Sequence, residues 1–181
     1  MTLRVSQAAA EQRRGRAGRL EPGICYRLWP AHEQALLQPF TPPEIMDADL
    51  APLALELARW GVADPAALPW LDLPPAAAYD QACTLLRELD AIDEEGRITA
   101  HGRALGALGA HPRLAHMAVR AKERGRGALA ADVAALLSER DVVKSRPGER
   151  DCDLRLRVEL LHERGAARHL PPGLASDRGA I

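Results

Sequence analysis

The sequence predicts a mainly α protein: a strand, helix and strand at the N-terminal end, then a winged helix, then a small helical bundle. Two observations carry the fold class. Nearly half of the 181 residues are apolar (47%), yet there are only one Phe and two Tyr. Ala, Leu and Arg abound instead, and all three rank high in helix propensity. Apolar residues also recur at three- and four-residue spacing in several segments, each closed by Gly or Pro. The length allows one domain or two small ones, enough for a real core.

Taken in order, Leu3 to Val5 reads as extended, and Ser6 as the N-cap of a helix through Ala8-Ala9-Ala10-Glu11-Gln12. Gly15 and Gly18 should break its regularity. A turn at Pro22-Gly23 precedes Ile24-Cys25-Tyr26-Arg27-Leu28-Trp29, whose alternation reads as a strand. Such a strand has no sheet of its own here, and an isolated strand is marginal in water, so this end should be cut from, or dock onto, a larger sheet.

Pro39, Pro42 and Pro43 mark a linker. Asp47 or Asp49 can then cap a helix presenting Leu50, Leu53, Leu57 and Trp60, ended by Gly61. A second helix from about Ala76 to Leu89 turns Leu85, Leu86 and Leu89 to the same core. Ile92, the turn Asp93-Glu94-Glu95-Gly96 and Arg97-Ile98-Thr99 form a hairpin, completing the order of a winged helix. Thr99 caps a helix through Leu108, Pro112 starts another that Gly125 stops, and Ala128 to Leu137 makes a third. Lys144 to Asp153 reads as a charged linker. Leu154, Leu156, Val158, Leu160 and Leu161 mark a last helix, before a tail that looks disordered from His169.

Lys plus Arg (24) nearly cancels Asp plus Glu (25), so net charge says nothing about nucleic acid, but its distribution does. Arg13, Arg14, Arg16 and Arg19 crowd seven positions, flanked by Arg4 and Arg27, whereas acids gather later at Asp47, Asp49, Asp90, Asp93, Glu94 and Glu95. The N-terminal end is the anion-facing end. The three cysteines are far apart and form no CxxC pair, which suggests neither a disulfide framework nor a zinc site and fits a reducing cytoplasm. No segment approaches the roughly 20 consecutive apolar residues of a membrane span, and no signal peptide is evident.

The segment Gln12-Arg13-Arg14-Gly15-Arg16-Ala17-Gly18-Arg19 has the sharpest chemical reading. Gly15 and Gly18 would let the backbone approach a ligand, while Arg16 and Arg19 would converge on one polyanion, because guanidinium forks match phosphate oxygens with two bonds each. That is the construction of a transition-state clamp for phosphoryl transfer. A solvated basic loop or a generic RNA-binding arginine tract fits the composition equally well.

This segment resembles the QRxGRxGR motif VI of superfamily 2 helicases in every fixed position. The stretch from Val5 to Trp29 looks like its DEAH-box version. The resemblance continues through Phe40-Thr41-Pro42-Pro43-Glu44-Ile45 to Gly61, Gly96-Arg97-Ile98-Thr99, Gly102-Arg103 and His111-Pro112-Arg113-Leu114, and runs from about residue 3 to 143. Ala9 departs from the Ser that relatives often carry, and Gly109-Ala110 from a more usual Pro-Leu. The resemblance implies that residues 1–38 end a second RecA-like domain, 39–99 form a winged helix, 100–143 a helical ratchet, and 144–181 a linker, helix and tail. It further implies that Gln12, Arg16 and Arg19 face the ATP γ-phosphate, the arginines as fingers, with Arg13, Gly15 and Gly18 in the nucleotide-binding set and Arg14 at the variable position.

No GxxxxGK(S/T) loop and no DEAH or DExH quartet occurs, so the phosphate cradle and the Mg²⁺-holding acid would belong to a first RecA-like domain absent from this sequence. Alone, the chain should not hydrolyse ATP. Of the basic stretch Arg113, Arg120, Lys122, Arg124 and Arg126, the first three are the candidates for contacting RNA or another single strand, against the alternative of a solvated helix face. His101, His111 and His116 have no pair at i and i+4, so no metal site is expected. Trp29, Trp60 and Trp70 could stack on bases, but Trp60 keeps the apolar spacing of its helix and is expected in the core. A different class of function, a stand-alone winged-helix nucleic-acid-binding module, would want a basic recognition helix. Here the second helix, with Asp80, Arg87, Glu88 and Asp90, is acidic on balance. A protein-interaction bundle with an incidental arginine loop would show no phosphate or RNA affinity at all.

Overall fold

The structure is a computed structural model that describes residues 4–145, 151–162 and 174–176. Among these the fold is mainly α: eight α-helices against two strands of three residues each. The chain forms two compact units, one of residues 4–48 with Leu71–Pro75, the other of Asp49–Trp70 with the described residues from Ala76 onward.

The first unit is organised by α1 (Gln7–Ala17). Ser6 caps it, its hydroxyl accepting from the Ala9 amide at 3.2 Å and from the Thr41 hydroxyl at 3.0 Å. The amides of a helix's first turn have no partner inside the helix. Here the returning chain supplies them: the Gln7 amide donates to the Gln38 carbonyl at 2.8 Å and the Ala8 amide to the Pro39 carbonyl at 3.0 Å. A short helix that the sequence reading missed, α2 (Ala31–Leu36), makes this return possible. Trp29 supports it by donating from Nε1 to Gln34 Oε1 at 3.0 Å. Ile24 to Trp29 is not a strand. It has no neighbouring strand among the described residues, and Ile24, Tyr26 and Leu28 are exposed at 78, 82 and 94%. Arg4 and Val5 are irregular, and Leu3 lies outside the described residues.

In the second unit α3 (Ala51–Trp60) is the hub, packing on α4 (Ala76–Glu88), α5 (Ala100–Gly106) and α6 (Pro112–Glu123). Leu50, Ala54, Leu55, Leu57 and Ala58 are buried with Tyr79, Ala82, Leu85, Leu86, Ile92 and Leu105. Gly61, at φ +77, ends α3 in the left-handed region, where glycine has no Cβ penalty. Trp60 is 70% exposed, contrary to its expected place in the core. At about 100° per residue the buried positions of α3 spread over an arc centred between Ala54 and Ala58, and Trp60 falls on the far side. Three-residue spacing from Leu57 was too coarse a criterion.

The expected hairpin shrinks to one bridge, Ile92 to Ile98, around a turn in which Asp93 Oδ1 accepts from the Arg97 amide at 2.8 Å. Thr99 caps α5, accepting from the Gly102 amide at 2.9 Å. A side chain at Gly102 would strike the Ala91 carbonyl, so this close packing of α5 requires glycine. Beyond α6, α7 (Gly127–Ser138) packs on it and carries α8 (Leu154–His162).

The segments read as linker and disordered tail lie partly outside the described residues. The described parts pair: β1 (Val143–Ser145) runs antiparallel to β2 (Leu174–Ser176), Lys144 opposite Ala175. Val142, Val143 and Leu160 make a small core beside them, with Leu136, Leu161 and Leu174 against it. Among the described residues no helix is long and apolar enough to cross a membrane.

Candidate nucleotide and nucleic-acid sites

The arginine-rich segment lies mostly in α1. Gln12, Arg13 and Arg16 stand at three- and four-residue spacing and so share one helix face, while Arg14 points away and pairs with Glu11 at 2.9 Å. Glu11 is also bonded by Arg27, whose guanidinium, with Arg14 behind it, holds that carboxyl below the usual range. Gln12, Arg13, Arg16 and Arg19 are all exposed and make no ion pair or side-chain hydrogen bond among the described residues. Arg16 sits in the last helical turn and Arg19 just past the Gly18 C-cap.

Of the two glycines expected to break the helix, only Gly18 does so. Gly18 ends the helix, but Gly15 is an ordinary helical residue and bends nothing. A Cβ at Gly15 would meet nothing within 4 Å, so packing does not call for glycine there.

The second candidate surface is on α6. His111 caps it, Nδ1 accepting from the Arg113 amide at 3.2 Å, and Nε2 faces Asp49 Oδ2 at 3.0 Å. An accepting Nδ1 leaves the ring hydrogen on Nε2, where it donates to Asp49. The other Asp49 oxygen accepts from the Ala51 amide at 2.9 Å, so one carboxylate joins the starts of α3 and α6. That amide, then the His111 ring, keeps the Asp49 carboxyl below its ordinary range.

Seven residues apart, Arg113 and Arg120 share a face of α6 with Met117 and Arg124, but Lys122 lies about 180° away. Lys122 instead packs its Cβ 3.6 Å from where a side chain at Gly127 would begin. The structure therefore separates Lys122 from the two arginines with which the sequence reading grouped it. In its place come Arg124 and Arg126, which with His116, Met117, Arg120 and Ala121 line a cleft of about 660 Å³. Arg120 is held by Asp90 at 3.3 Å and Glu123 at 3.5 Å. Sequence reasoning also missed a histidine pair, His101 Nε2 to His116 Nδ1 at 3.0 Å, whose partners lie fifteen positions apart.

Comparison with known proteins gives these surfaces their family. No family model matches the chain. It is 46% identical over 139 residues to the ATP-dependent RNA helicase HrpB of Escherichia coli (strain K12), covering 77% of this chain and 17% of that protein. It is 36% identical over 165 residues to HrpA of the same organism, covering 88% of this chain and 12% of HrpA. A crystal structure of the Escherichia coli DEAH/RHA helicase HrpB superposes with a TM-score of 0.72 at 40% identity, over 91% of this chain and 22% of that one. The chain belongs to the DEAH-box helicase family. It spans less than a quarter of the length of these relatives, and within the family it is a segment of the HrpB and HrpA type.

Proposed function

We propose that this chain is the part of an ATP-dependent RNA or single-stranded nucleic-acid helicase that supplies the arginine fingers for ATP hydrolysis and one wall of the strand channel. The carrying observation is the unpartnered set Gln12, Arg13, Arg16 and Arg19 on and just beyond α1. Exposed guanidiniums that no carboxylate of their own unit satisfies are poised for an external anion, and their fork geometry fits phosphate oxygens. Residues 1–38 then close a second RecA-like domain, 39–99 are the winged helix, 100–143 the ratchet, and 144–181 an appended tail.

ATP fits the motif on these grounds. Mg²⁺ would be held by the first RecA-like domain, where the phosphate cradle and the DEAH acid of such helicases lie. Bound ATP and Mg²⁺ supply the phosphoryl group and its charge neutralisation, and this chain contributes positive charge where negative charge develops. On α6, Arg113 and Arg120 would track the strand's phosphates. Lys122 belongs to that proposal only through a second, opposite contact. The reading places the protein in the cytoplasm.

The test is ATP turnover, with and without RNA, by this chain alone and by the complete protein containing it. The chain alone should be inactive, and the complete protein should be active and RNA-stimulated. Arg16→Ala or Arg19→Ala in the complete protein should lower turnover about a thousandfold or more with the fold intact. Near-normal turnover in either variant removes the finger assignment.

A further inference from the structure

The histidine pair sits beside the α6 cleft and has a determinable proton arrangement. His116 Nδ1 lies 3.0 Å from His101 Nε2 and 3.2 Å from the Leu89 carbonyl oxygen. A carbonyl can only accept, so Nδ1 of His116 carries the hydrogen, and His101 Nε2, facing the same hydrogen, presents its lone pair. The rings meet edge to face, with centroids 5.0 Å apart at 86°. A proton added to His101 Nε2 would set two N–H groups against each other. A proton added to His116 Nε2 breaks nothing, because Nδ1 goes on donating to both acceptors. His116 Nε2 is thus the nitrogen of the pair whose hydrogen would disturb neither contact, and His116 lines the cleft.

We propose that the cleft lined by His116, Arg120, Arg124 and Arg126 binds a phosphate group, with His116 as a fourth, proton-dependent cation oriented by His101. The proposal rests on the reading of α6 as a nucleic-acid surface and gives that surface a specific phosphate subsite. Charge bookkeeping shows why one proton matters. Facing the pair are Asp90 after α4 and Arg120 and Glu123 on α6. On α7, packed against α6, Asp132 is engaged by His162 at 2.7 Å. Arg124 and Arg126 make no ion pair among the described residues. Three arginines against the two carboxylates Asp90 and Glu123 leave the cleft one positive charge in excess, which protonated His116 doubles. Burial, then Arg120, pushes His101 below its ordinary range, which keeps it in the accepting role this arrangement needs.

The experiment uses the whole chain, with a labelled short oligouridylate followed by anisotropy and inorganic phosphate followed by the His116 ring resonances. Oligouridylate affinity should rise about fivefold from about pH 7.5 to about pH 5.5, the effect of one added charge near a surface phosphate. His116→Asn, whose amide can still donate to Leu89, should keep the alkaline affinity and lose the rise. Arg124→Ala with Arg126→Ala should weaken binding at both ends. Phosphate should raise the titration midpoint of His116 in the unmodified protein, a readout that needs no variant to fold. A full pH response in His116→Asn, or a His116 midpoint that phosphate leaves unmoved, overturns the site. Oligouridylate that fails to bind at either pH, while phosphate still shifts His116, keeps the phosphate site and removes the nucleic-acid reading on which it was built.

Discussion

Gly15 costs α1 stability without any return inside the unit, since a helical glycine is worse than alanine by about 0.5–1 kcal/mol and no neighbour crowds it. Gly15→Ala should therefore raise the stability of the first unit by about that amount while impairing ATP turnover in the complete protein, if the missing Cβ makes room for nucleotide or the facing domain. Gain in both properties would show that the glycine serves no ligand. His101 makes a pH prediction at the same scale. Its folded value lies below the ordinary value near 6.5, mainly through burial, so the native state binds fewer protons than the unfolded state as acid is added. The stability it contributes is complete above about pH 6.5 and declines as pH falls through that value toward the lowered one. Urea midpoints between about pH 8 and about pH 5 should fall in the unmodified chain and fall less in His101→Gln; parallel curves would refute the linkage. Ser6, Thr99 and Pro112 were legible because capping is decided within three or four positions of chain. The His101–His116 and Asp49–His111 pairs were not, since only the packing of α3, α5 and α6 brings their partners together.

Among the elements, the helices of the second unit, α8 included, were legible from apolar spacing, but the strand pair beside α8 was not. Its strands pair Val143 with Ser176 across a charged stretch of sequence, and three-residue strands leave too short a pattern for alternation to register. What fastens α8 is Arg157, 8% exposed in its side chain, whose Nε and Nη2 grip Asp141 Oδ1 and Oδ2 at 2.9 and 2.7 Å. Its remaining donors reach the Asp151 and Asp153 carbonyls at 2.7 and 3.0 Å. The Arg157 hydrogen bonds hold the Asp141 carboxyl below its usual range. Arg157→Ala removes charge-assisted bonds and a buried stem together, and should cost about 2–3 kcal/mol locally. Amide exchange should show Leu154–His162 losing protection while α3 and α4 keep theirs. Unchanged protection in α8 would mean that the Val142, Val143 and Leu160 cluster alone holds it.

At the scale of the whole molecule the two units differ in how much they bury. In the second, some fifteen apolar side chains are sequestered around α3. In the first, Ala10 and Leu37 are the buried apolar residues among those described, while Leu20, Ile24, Tyr26, Leu28, Leu36 and Phe40 are all more than 70% exposed. Apolar burial is the main favourable term in folding, so the first unit has little to set against the entropy of ordering α1 and α2. Its stability would come from whatever covers Ile24, Tyr26 and Leu28, and the sequence signalled this through an alternating segment with no partner strand. Hydrogen exchange on the isolated chain should accordingly find α1 and α2 opening at a free energy well below that of α3 to α6. In the complete protein the same amides should be protected to the level of the second unit, because a neighbouring sheet would both pair the 24–29 backbone and bury its side chains. Equal protection of both units in the isolated chain would contradict the proposed incomplete RecA-like domain, and would require the described contacts of α1 with residues 37–41 to stabilise the first unit unaided.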